Sequence, residues 1–141
     1  MDCCRVLFVS SDHENAGMLL RMLRGAPIGF EHVSNLRDAR WSLDRESYGA
    51  ILTEAHLPDG DWKDVLSLTC ELAASPAVIV THQFADDRFW AEVLSLGCYD
   101  MLAQPFDAGE VQRILTLACG QAPARRMACG VLAAAKVLLA S

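Results

Sequence analysis

The sequence predicts an α/β fold, a five-stranded parallel sheet with helices on both faces. Three observations carry that expectation. Short apolar runs bounded by polar residues are too short for helices and read as strands buried on both faces. Each is followed by a stretch whose apolar residues recur at helical spacing, one stripe per helix. Strand and helix alternate without interruption to about residue 119, and parallel strands need helical crossovers.

The first strand is CRVLFVS, 4–10. Ala16, Leu19, Leu20 and Leu23 then fall at i, i+3, i+4 and i+7, a helix that Gly25 and Pro27 bring to an end. IGFEHVS (28–34) is the second strand, followed by a helix carrying Leu36, Ala39 and Leu43, then by GAILT (49–53). A third helix with Val65, Leu68 and Leu72 precedes the fourth strand, AVIVT (77–81). Trp90, Val93, Leu94 and Gly97 stripe a fourth helix, YDMLA (99–103) is a weaker fifth strand, and Val111, Ile114, Leu115 and Ala118 stripe the last helix.

At 141 residues the chain is long enough for one domain with its own core and too short for two. With 52% hydrophobic and 21% charged residues it is a compact globule, not a disordered tail. A net charge of −6 gives no overall attraction to nucleic acid or an anionic membrane, and Arg125 and Arg126 are too weak a basic pair to change that. The six cysteines (Cys3, Cys4, Cys70, Cys98, Cys119, Cys129) show no CxxC or CxxxH spacing, so reduced, packed thiols in a cytoplasm are expected. No run approaches the ~18 apolar residues of a membrane span. The opening MDCCRVLFVSSD, with Arg5 its only cation, does not read as an export signal.

In sheets of this type ligands bind outside the carboxyl ends of the strands. The positions of interest are therefore Ser10, Ser11 and Asp12, the stretch from Glu54 to Asp59, Thr81 with His82, and Gln104. The run from Tyr48 through LPDGDW, with PAVIVT and LGCYDMLAQPF, resembles the receiver domain of two-component response regulators over about residues 4–119. The resemblance implies a CheY-like, flavodoxin-like fold. LPDGD and the Gln104-Pro105-Phe106 corner stand where that family has its MPxxDG and KPF turns.

The resemblance breaks at the site it implies. The family's phosphoacceptor aspartate corresponds to Glu54, its magnesium-binding acidic pair to Ser10 and Ser11, and its lysine to Gln104; only the strand-four hydroxyl, Thr81, is kept. Phosphoryl transfer relies on positioning and on neutralising charge on the equatorial oxygens. Two serines supply no charge to magnesium, and a glutamine cannot replace a cation. The extra methylene of Glu54 moves its carboxylate by about 1.5 Å, a misplacement on the scale that costs roughly a hundredfold in rate. Phosphate-driven switching is expected to be absent, and magnesium binding weak or absent.

Glu54 then has two readings. Thr81, Ser10 or Ser11 donates hydrogen bonds to a built-in mimic of the phosphorylated state, or the glutamate is tolerated at the crevice edge of a domain that no longer switches. The family's strand-five switch aromatic corresponds to Met101, which cannot report by a hydroxyl but can fill the same gap. Asp12 is expected to cap the first helix and not to bind metal. Asp59, past the turn, points away from the crevice in the family pattern. A metal site built on Glu54, His56 and His82 is chemically conceivable for zinc, copper or nickel, but adjacent loop histidines are the plainer account. His13 lies nearby, and His32 is expected at a sheet edge or end. No Ser or Cys stands in a triad relation to a histidine, so no enzymatic activity is expected.

The resemblance also implies a partner or homodimer surface on the helix 4, strand 5, helix 5 face. Phe84 and Phe89, off the Trp90 stripe, are its expected contacts. Residues 120–126 read as a linker and 127–141 as an apolar C-terminal helical extension that packs on the domain or on a second copy, too short to span a bilayer and too small for a DNA-binding output. The expectation is a stand-alone, degenerate receiver acting by protein contact in the cytoplasm. The alternatives are a phosphorylatable regulator with an atypical acceptor and a metal-binding module.

Overall fold

The computed structural model describes residues 4–72, 76–82 and 87–119. Strands β1 (Cys4–Val9), β2 (Ile28–Val33), β3 (Ala50–Glu54), β4 (Ala77–His82) and β5 (Asp100–Ala103) alternate with helices α1 (His13–Met22), α2 (Leu36–Arg45), α3 (Trp62–Cys70), α4 (Asp87–Ser95) and α5 (Ala108–Cys119). The sheet order is β2-β1-β3-β4-β5, all parallel. This is the five-stranded flavodoxin-like sheet expected, with its order reversing between β1 and β3.

The continuous apolar strands are explained by burial on both sides. Val6, Phe8, Ala50, Leu52, Ile79 and Leu102 face α1 and α5. From the opposite pleat, Leu7, Val9 and Ile51 meet α2 and α3, while Val78, Val80 and Met101 meet α3 and α4. Side chains alternate along a strand, so one apolar run serves two cores.

The connections are capped locally. Asp12 accepts from the backbone N–H groups of Glu14 and Asn15 at the start of α1, the N-cap role its sequence position predicts. Asp61 and Asp64 form a capping box on α3, after a short hairpin of His56–Leu57 with Gly60–Asp61. Asp59 points away from the crevice and accepts from Leu36 N at 2.8 Å and Arg37 N at 3.1 Å, tying the β3–α3 loop to the start of α2. Gly25 and Gly97, with φ of 88° and 103°, follow α1 and α4 in the left-handed region that glycine adopts without strain.

Two helical stripes differ from expectation. Leu20 is exposed, although Ala16, Leu19 and Leu23 are buried. On α4 only Val93 of the expected line is buried; Trp90 and Leu94 are exposed, whereas Phe89 and Leu96 pack inward. The reason is helical phase. Phe89, Val93 and Leu96 also fall at i, i+4 and i+7, and Trp62 stacks on the Phe89 ring with centroids 6.1 Å apart, fixing that face inward. The expected interface aromatics are thus exchanged: Phe89 is a core contact and Trp90 faces out. Phe84, the linker at 120–126 and the extension at 127–141 lie outside the described residues. Cys70 and Cys98 are thiols, but Cys119 is disulfide-bonded, correcting the expectation that all cysteines are reduced. It is half-buried at the last position of α5.

Candidate functional site

The strand ends converge on one open cleft of about 310 Å³. Its walls are Asp12, Asn15, Glu54, Ala55, His56, Thr81, His82 and Gln104. Parallel strands bring the last residues of β3 and β4 level, so Glu54 pairs in register with Thr81. Helix α1 rises from the end of β1 and supplies Asp12 and Asn15.

Glu54 is half-buried and already engaged. The fully buried Ser10 hydroxyl donates to its Oε1 at 2.5 Å, and the Asn15 amide contacts the same oxygen at 3.4 Å. Ser10 also accepts the Asp12 N–H at 2.9 Å, so a single hydroxyl joins the β1–α1 turn to the end of β3. Ser11 is exposed and lines no part of the cleft, so of the three hydroxyls offered as donors to Glu54 it is Ser10 that meets it. Consecutive residues leaving a strand point to opposite sides, and only one of two serines can face in.

Thr81 is buried and does not reach Glu54; its hydroxyl oxygen instead receives the Gln104 side-chain amide at 3.5 Å. Gln104 therefore spans β4 and β5 across the cleft floor, followed by a cis bond to Pro105. Met101 points inward, 8% exposed, among Trp62, Val80, Val93 and Cys98. Asn15 is the participant that sequence reasoning missed. The signal was present in its placement one turn into α1, three residues after the cap, where a helix start at the sheet's carboxyl edge overlooks the crevice.

The histidines divide into two pairs. His56 and His82 meet at the cleft mouth with ring centroids 6.3 Å apart, and His82 packs edge-on against Phe89. His32, on the edge strand β2, hydrogen-bonds Ser10 O through Nε2 at 2.7 Å and stands edge-on to His13. Among the described residues no group of three His, Cys, Asp or Glu side chains is placed to hold a metal ion. Among the described residues, the two carboxylates of the cleft, Asp12 and Glu54, have no lysine or arginine beside them in its walls.

No protein-family model matches the chain. Over 84 residues it is 26% identical to response regulator protein PilR of Pseudomonas aeruginosa, a match spanning 60% of this chain and only 19% of PilR. Among solved structures, the signal receiver domain of a protein assigned as a Luxo repressor from Vibrio parahaemolyticus superposes with a TM-score of 0.79 at 22% identity, covering 88% of this chain and 95% of that one. The receiver domain of sensor histidine kinase PA1611 from Pseudomonas aeruginosa, solved with magnesium in its active-site cleft, superposes at 0.73 with 26% identity, covering 84% and 99%. Among the described residues no helix is long and apolar enough to cross a membrane. Strand order, crossovers and these likenesses together show a CheY-like, flavodoxin-like fold and make the chain similar to the receiver domains of two-component response regulators.

Proposed function

We propose that the chain is a degenerate receiver of a cytoplasmic two-component pathway that signals by protein contact without accepting phosphate. One observation carries the reading: the carboxylate at the acceptor position is already held by the Ser10 hydroxyl, in a cleft where no lysine or arginine stands among the described lining residues. An incoming phosphoryl group would have to displace that hydrogen bond and meet Asp12 and Glu54 without the lysine that neutralises its oxygens. Asp12 is committed to capping α1, which among the described cleft residues leaves only Glu54, itself held by Ser10, as an acidic ligand for magnesium.

The inward packing of Met101 and the Thr81–Gln104 contact support a single fixed conformation. The output surface is the α4-β5-α5 face, where Trp90 and Leu94 on α4 are 45% and 42% exposed and Glu110 and Arg113 on α5 are exposed. Exposed apolar groups rimmed by charge are typical of protein contact sites.

Incubation with acetyl phosphate and magnesium, followed by intact mass measurement, tests the proposal. No phosphoryl adduct is expected. An adduct that disappears in Glu54→Ala, or one that survives there and disappears in Asp59→Ala, would overturn it.

A further inference from the structure

Among the described residues, no other element packs on the outward face of helix α2. Trp41 is 62% exposed, the highest value among the large hydrophobic residues described. The Arg45 guanidinium lies 4.5 Å above its ring. Around the indole runs a groove of about 530 Å³ lined by Asn35, Arg37, Asp38, Arg40, Trp41 and Asp44. Arg37, Arg40 and Asp44 are exposed, and none takes part in an ion pair among the described residues.

We propose that this face is a twofold interface between two copies of the chain. An α-helix turns by about 100° and rises about 1.5 Å per residue. Arg37 and Asp44, seven positions apart, therefore lie within about 20° of each other around the axis and roughly 10 Å apart along it. Arg40 and Trp41 flank that line midway between them. A second α2, laid antiparallel with the twofold axis between positions 40 and 41, sets Arg37 against the second copy's Asp44 and Asp44 against its Arg37. The same operation brings each Arg40 over the other copy's Trp41, a cation–π contact. Isologous contacts require this self-complementarity, and they close at two subunits.

The charge pattern selects this register. Moving the axis half a residue, onto Trp41, would oppose Arg37 to Arg45 and Asp38 to Asp44, like against like. An acidic peptide in the groove would satisfy Arg37 and Arg40 but confront Asp38 and Asp44. A second copy satisfies both signs. One helix pair buries less than a standard interface, so the dimer is weak, in the micromolar range. It leaves the α4-β5-α5 face open, because α2 packs on β1 and β3 while α4 lies over β5.

The test is sedimentation velocity of the full chain over a concentration series. Arg37→Asp and Asp44→Arg alone each place two like-charged pairs in the interface and should weaken the dimer about tenfold. Together they restore both pairs with reversed sign and should recover wild-type association. Neither change opposes the helix, since an acid in the first turn and a base in the last suit its dipole. Circular dichroism confirms that each variant is folded. A chain monomeric throughout, a dimer indifferent to the single substitutions, or a double variant that stays as weak as the singles would overturn the proposal. So would a dimer lost in Trp90→Ala/Leu94→Ala and intact in Arg37→Asp. The phosphoryl test above does not depend on this outcome, so the two proposals fail separately.

Discussion

Replacing Ser10 with alanine should loosen the joint between β1, α1 and β3 by a measurable amount. Ser10 is fully buried, and its hydroxyl makes two bonds: it donates to Glu54 at 2.5 Å and accepts the Asp12 N–H at 2.9 Å. A hydrogen bond to a charged group contributes about 1.5–3 kcal/mol, and the lower end applies because Glu54 is half-exposed. The orphaned Asp12 N–H adds about 1 kcal/mol. The total, about 2–3 kcal/mol, corresponds to a fall in Tm of roughly 6–9 °C for a domain of this size. Urea unfolding of Ser10→Ala, Glu54→Ala and the double variant forms a thermodynamic cycle that isolates the pair. A coupling of about 1–1.5 kcal/mol is expected. If Ser10→Ala costs less than about 0.5 kcal/mol, or the two substitutions simply add, the hydroxyl does not hold the carboxylate and the account of an occupied acceptor site fails.

Asp59→Ala should cost about 1 kcal/mol by removing the acceptor of the Leu36 and Arg37 N–H groups at the start of α2, with Asp59→Asn costing less. Its bonds to Leu36 N and Arg37 N hold the Asp59 carboxyl below its ordinary value, so this contribution is present above the unfolded pKa near 3.8 and is lost as pH falls through the folded one. Acid unfolding of Asp59→Ala should therefore lack that part of the pH dependence seen in the wild type. Met101→Ala should destabilise by about 2–5 kcal/mol, because the side chain fills space between Trp62, Val80 and Val93. A loss below about 1 kcal/mol would mean that Met101 is not packed inward. Under alkaline conditions burial pushes the Cys98 thiol from 9.0 up to about 12. Tyr48 is likewise raised, by burial and by donating to the Glu31 carboxylate. Both groups stay protonated in the fold and ionise in the unfolded chain. Stability should be full below about pH 9 and then fall by about 1.4 kcal/mol per pH unit for each group engaged. Cys98→Ala should remove the first part of that decline, and level stability across the window would contradict it.

Much of the architecture was legible before any coordinates. Strands such as CRVLFVS and AVIVT are apolar on both pleats, a pattern that only a two-sided core produces, and all five recur within a residue or two of their expected bounds. The polar residues that end them were equally plain, so Glu54, Thr81 and Gln104 stand around one cleft as expected. Helical phase was less legible. On α4 two stripes share Val93, and hydrophobicity favours neither. Only Trp62, arriving from α3, chooses Phe89 over Trp90.

The sequence by itself determined the strand–helix order and the site's position at the carboxyl ends, because those follow from periodicity and residue identity. The tertiary structure decided which serine turns inward, that Asn15 and not Thr81 joins Ser10 at Glu54, and that α2 exposes a self-complementary face. Such choices depend on packing between segments distant in the chain: Ser10 and Glu54 are 44 residues apart, and no local pattern records their meeting.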